Sequence, residues 1–191
     1  FVIAPNIFYR SKKHPIADYD KLLNPAGLPE LLKQVLAMAA DLTPEKSKVD
    51  TEALLKFAES HEANVKNVGA VGYCMGGGIA IRMAAFFPQQ IKAVATYHAG
   101  RLAGDDPSSP HLLADKIKAK LYTAHADNDK SMPAEMIQRF EEAMKKAGVS
   151  LKSELYQGAA HGFTMKDLPA YKAEADARHW KSFFELMKST L

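Results

Sequence analysis

The chain has 191 residues, 47% of them hydrophobic and 25% charged, with a formal net charge of +3. This is enough apolar material for one substantial core, expected as a single domain over residues 1–191. Lysines interleaved with acids read as solvated helix faces, which argues against a nucleic-acid surface, and no apolar run reaches the length of a membrane span. Cys74 is the lone cysteine, so no intramolecular disulfide forms, which fits a reducing, cytoplasmic compartment.

Residues 1–4 are apolar and read as a short buried strand ended by Pro5-Asn6. Domains of this kind open on polar residues, so a further N-terminal portion is expected before Phe1, with room for a targeting peptide. Asn24-Pro25-Ala26-Gly27 is a turn signal, and residues 28–42 follow with helical apolar spacing and Pro29 in the first turn. Thr43 before Pro44-Glu45 predicts an N-cap and a helix reaching about residue 61. A strand over 65–73 runs directly into a helix over 75–87. Residues 91–97 form another strand, and 101–110 a loop dense in Gly, Asp, Pro and Ser. A strand over 119–124, a helix over 133–147 closed by Gly148, and a strand over 149–156 come next. A loop over 158–166 leads to the last helix, 170–191. Strands alternating with helices predict a mostly parallel sheet flanked by helices on both faces.

Gly72-Tyr73-Cys74-Met75-Gly76 occupies the junction of the second predicted strand with its helix. Gly-x-nucleophile-x-Gly is the form of a nucleophile elbow, a corner so sharp that the central residue is held in a strained backbone conformation. A side chain at either glycine is expected to strike the neighbouring strand or the incoming helix. Thiolate is the reacting form of cysteine, and the unpaired N–H groups at a helix N-terminus favour an anion there. The Met75 N–H points the same way and suits an oxyanion donor.

In parallel sheets the functional groups lie on loops beyond the carboxyl ends of the strands. That rule selects Cys74, the region of His98, the Asp127/Asp129 pair and His161. Nucleophile, acid, histidine is the chain order of α/β-hydrolases. His161 stands among small residues in Gly158-Ala-Ala-His161-Gly162-Phe163, which leaves its ring room to swing as a base. Periodicity does not separate Asp127 from Asp129, and either also suits an Asx turn. Two other patterns lead nowhere. Val65 stands where a His-Glu-x-x-His zinc helix needs its second histidine, and no Lys-Ser/Thr follows Gly76-Gly77-Gly78.

Gly72-Tyr-Cys74-Met-Gly-Gly77, the Asp-x-Asp-x-x-x-Pro block from Asp127 to Pro133, and His161-Gly-Phe163 together resemble the dienelactone hydrolase (carboxymethylenebutenolidase) family. The likeness runs across nearly the whole chain, including Ala4-Pro5-Asn6 with Arg10, Tyr97-His98-Ala-Gly100-Arg101-Leu102 and Ser109-Pro-His-Leu-Leu113. It implies an α/β-hydrolase fold lacking its first strands in this chain. It also implies a Cys74–Asp129–His161 triad cleaving a small ester or lactone without metal or organic cofactor. Arg10 matches a carboxylate-binding arginine of the family; the second such arginine, after the histidine, is absent, and Lys166 stands one position late. His98 and Arg101 are further candidates for touching substrate. The alternative reading is a non-catalytic thiol sensor or ligand-binding module on the same fold, which needs Cys74 but no general base.

Overall fold

The computed structural model describes residues 1–17 and 26–191, so Asn24 and Pro25 of the expected turn lie outside the described residues. Two compact units are formed, Phe1–Ala63 and Asn64–Leu191.

The first unit carries two helices, α1 (Leu28–Ala40) and α2 (Pro44–Ser60). α1 stops two residues earlier than its apolar pattern suggests, because the Leu42 and Thr43 N–H groups turn back to the carbonyls of Ala39 and Asp41. Thr43 then acts as the expected N-cap: its backbone is extended at φ −68°, and its hydroxyl accepts from the Lys46 N–H at 3.3 Å. The strand expected over residues 1–4 does not form. Phe1 and Val2 are 71% and 94% exposed, and among the described residues no strand offers this segment a ladder. An apolar run without a hydrogen-bonding partner stays irregular.

The second unit is a parallel four-stranded sheet in the order β1 (Val68–Tyr73), β2 (Ile91–Tyr97), β3 (Lys120–Ala126), β4 (Leu151–Tyr156). Each strand is joined to the next through a helical crossover: α3 (Met75–Phe86), a 3-10 turn (Pro110–Lys116) and α4 (Ala134–Lys146), with α5 (Ala173–Thr190) closing the chain. Successive side chains of a strand leave on opposite faces. Val94 of β2 accordingly joins a core with Ile81, Phe140 and Met144 from α3 and α4. Its neighbours Ala95 and Tyr97 join the opposite core with Tyr122, Tyr156, Phe163 and Ala175. Helices therefore cover both faces, as the alternation predicts. β1 begins at Val68 and not at residue 65, because its ladder starts where Ile91 of β2 becomes available.

Gly72 behaves as the elbow motif requires: a Cβ there would lie 2.2 Å from the Gly76 carbonyl oxygen. Gly76 does not, since a Cβ on it meets nothing within 4 Å. The close approach falls one residue later, where a Cβ on Gly77 would sit 2.3 Å from that of Ala99.

Candidate active site

The ladder hydrogen bonds continue one step past the strand ends, and this aligns the candidate residues. Cys74 N–H donates to Tyr97 O at 3.3 Å, His98 N–H to Ala124 O at 2.9 Å, and Asp127 N–H to Ala159 O at 2.9 Å. Cys74, His98, Asp129 and His161 thus all emerge at the carboxyl end of the sheet. Three non-glycine residues here have positive φ: Cys74 at 51°, His98 at 41° and Arg101 at 55°. Strain of this kind persists where the surroundings over-determine the backbone, and it concentrates at functional sites.

Cys74 lies between β1 and α3, half-buried, with its sulfur at the helix N-terminus. Met75 is the first residue of α3, where a backbone N–H has no intrahelical acceptor. The thiol is hydrogen-bonded to His98 Nδ1 at 3.4 Å and is a hydrogen-bond partner of His161 as well. His98 is wholly buried, so it reaches the sulfur from below instead of facing solvent as a substrate contact. Its Nε2 meets Thr164 Oγ1 at 2.9 Å, and Phe163 stacks edge-on against the ring. Burial, and then the neighbouring His161, push its pKa down to about 4, so the ring is neutral near pH 7.

His161 approaches from the loop after β4. The ligating atoms of Cys74, His98 and His161 lie within 4.8 Å of one another. Its Nδ1 is hydrogen-bonded to Asp129 Oδ2 at 2.6 Å. Cys74 foremost, with Asp129 helping and partial burial opposing, raises the His161 pKa to about 9. The two aspartates that periodicity leaves equivalent are distinct in space. Asp129 is buried and holds His161 through one oxygen while the other accepts from the Ser131 N–H and hydroxyl, at 2.8 and 2.6 Å. Burial works against its charge, but these bonds prevail and keep its pKa below the ordinary value. Asp127 instead accepts from the Gly158 N–H at 2.9 Å, tying two loops together.

Arg101 and Lys166 are exposed, and the Arg101 N–H donates to Ser131 O at 2.8 Å. Arg10, in the first unit, has both arms of its guanidinium on Asp50, at 2.7 and 2.6 Å. A small cavity of that unit, lined by Ile7, Phe8, Met38 and Leu42 among others, contains neither thiol nor histidine. Sequence reasoning missed Thr164, Ser131 and the direct contact of His98 with sulfur. The last was within reach, because His98 follows β2 by the same single step as Cys74 follows β1.

All 191 residues, 1–191, match the dienelactone hydrolase family. The chain belongs to that family. It is 29% identical over 187 residues to a Methylorubrum extorquens protein named "Putative carboxymethylenebutenolidase", covering 95% of this chain and 60% of the relative. A protein of the same name from Escherichia coli (strain K12) is 27% identical over 190 residues, with 97% of this chain and 65% of the relative covered. The chain thus spans somewhat under two thirds of the length of these curated relatives. The crystal structure named "Putative Dienelactone Hydrolase" from Klebsiella pneumoniae aligns with a TM-score of 0.80 at 19% identity, covering 96% of this chain and 73% of that one. At that identity the likeness is one of fold, and the fold is that of an α/β-hydrolase. Among the described residues no helix is long and apolar enough to cross a membrane.

Proposed function

We propose that this member of the dienelactone hydrolase family cleaves a carboxylic ester or lactone of a small molecule by covalent catalysis through Cys74. The observation that carries this reading is the Asp129–His161 hydrogen bond of 2.6 Å beside the elbow thiol; Cys74 first, and Asp129 after it, favour the charged imidazole. In the proposed reaction the Cys74 sulfur attacks the carbonyl carbon, and the negative charge on oxygen is received in part by the Met75 N–H. The tetrahedral species collapses to a thioester as the leaving oxygen takes the proton of His161. Neutral His161 then removes a proton from water, whose oxygen attacks the thioester; the acid product departs and the sulfur is restored as thiolate. Asp129 fixes the tautomer of His161 and stabilises its charged form throughout.

Arg101 and Lys166 are among the exposed cations of the second unit and, lying on loops that carry site residues, are the ones proposed to attract an acidic substrate. With the Arg10 fork engaged by Asp50, recognition of a substrate carboxylate by Arg10 would require that pair to open. The thiol-sensor alternative has a use for Cys74 but none for the Asp129–His161 pair. Hydrolysis of p-nitrophenyl acetate by the protein and by its Cys74→Ala variant tests the proposal. Loss of turnover in the variant is expected, and a variant that hydrolyses at the parent rate would refute the assignment.

A further inference from the structure

Two histidines converge on Cys74, and each has one ring nitrogen already engaged by an oxygen. Asp129 Oδ2 takes His161 Nδ1 at 2.6 Å, and Thr164 Oγ1 takes His98 Nε2 at 2.9 Å. The Asp129 contact is the carboxylate–imidazole pairing that orients metal-binding histidines, and a hydroxyl does the same work for His98. Each ring keeps its other nitrogen for the space beside the sulfur, and the three ligating atoms lie within 4.8 Å of one another. The Sγ–Nδ1 separation between Cys74 and His98 is 3.4 Å. Metal–sulfur bonds of about 2.3 Å and metal–nitrogen bonds of about 2.0–2.1 Å, at the tetrahedral angle, require roughly 3.5 Å there. Among the described residues no other three such side chains converge in this way.

We propose that Cys74, His98 and His161 form a site for a thiophilic divalent cation, Zn²⁺ above all, and that its occupation reversibly switches the thiol off. One thiolate and two imidazoles are borderline-soft donors suited to zinc, and three protein ligands leave the fourth position for water. The proton shared by the Cys74–His161 pair is released to solvent on binding, so the sulfur and both nitrogens each present a lone pair to the metal. His98 brings a neutral ring, its charged form being disfavoured by burial. The Cys74–His98 separation fits a bound ion as it stands, and the other ligand pairs, within 4.8 Å, close to about 3.5 Å when it binds; only the effect on hydrolysis rests on the proposed role of Cys74 as nucleophile.

Zinc affinity is measured on the metal-free protein by competition with a chromogenic indicator, and Co²⁺ is added separately as a spectroscopic probe. One Zn²⁺ per chain is expected, weakened at least tenfold in Cys74→Ala and in His98→Gln. Thr164→Val, which removes only the outer partner of His98, should cost about 10- to 100-fold. Co²⁺ should give a near-ultraviolet thiolate-to-metal band in the parent protein that is missing in Cys74→Ala. Absence of that band in the parent, or a zinc affinity indifferent to both ligand substitutions, would overturn the site. The Co²⁺ spectrum needs neither a folded His98 variant nor an active enzyme, so it fails or succeeds independently of the esterase reading. Where hydrolysis is present, one equivalent of Zn²⁺ should abolish it and a chelator restore it. Undiminished turnover with the cation bound would overturn the inhibitory half of the proposal.

Discussion

Two imidazoles flank one sulfur, and their surroundings drive them apart. His161 is partly exposed, anchored on a buried carboxylate, and carries its proton up to about pH 9. His98 is fully enclosed, bonded to a hydroxyl, and loses its proton at about pH 4. One side chain type therefore supplies both a cation that can give up a proton and a neutral ring that hydrogen-bonds the thiol. The difference comes from what surrounds each ring: Cys74 and then Asp129 favour the charged form of His161, while burial against Thr164 and Phe163 disfavours that of His98. Residues that look alike in the chain are thus sorted by the loops that carry them.

The contrast is most severely broken at Asp129. Asp129→Asn removes the carboxylate that holds His161 Nδ1, and the equivalent change in a serine protease costs about 10⁴ in kcat. Asp127→Asn touches only the loop tie to Gly158 and should be far milder; steady-state kinetics of the pair decide which acid serves His161. Next in size is the pH dependence. Acylation uses the His161 proton, so kcat/KM should hold through neutrality and fall only as pH rises past about 9. A step at the ordinary histidine value of 6.5 would mean that His161 is not held by its neighbours as described.

Smaller effects sharpen the picture. Lys166→Ala should lower the kcat/KM preference for an acidic over a neutral ester by no more than an exposed charge is worth, about 0–1 kcal/mol, and added salt should shrink the difference. Arg10→Ala, whose fork is on Asp50, should leave that ratio unchanged. The smallest expected change comes from Gly76, two residues after the sulfur-bearing Cys74. Gly76→Ala meets open space inside α3 and should stabilise by about 0.4–1 kcal/mol in thermal or denaturant unfolding. Gly72→Ala, which would drive a methyl group into the Gly76 carbonyl, should severely destabilise the fold.

Most of the second unit was legible in the sequence because its strand β2 is a short apolar run and helical segments separate the strands. β2 was read to the residue, and Gly148 marks the end of α4 where Lys146 closes the helix. Legibility failed where a partner decides the outcome. Residues 1–4 have the composition of a strand but no ladder to join among the described residues, and the Pro110–Lys116 turn gives no periodic signal at its length. At the site, Cys74 and His161 stood out through motif and loop composition. The burial of His98, the hydroxyl of Thr164 and the separate tasks of Asp127 and Asp129 depend on the juxtaposition of distant loops, which spacing along the chain does not encode.

The central claim is that Cys74 takes the acyl group of the substrate while His161 moves the proton. The most direct measurement is peptide mass analysis of the protein mixed with p-nitrophenyl acetate and quenched in acid during turnover. The account predicts one acetyl group on the peptide that carries Cys74, as a thioester. An acetyl intermediate on any other residue, with Cys74 unmodified, would contradict it.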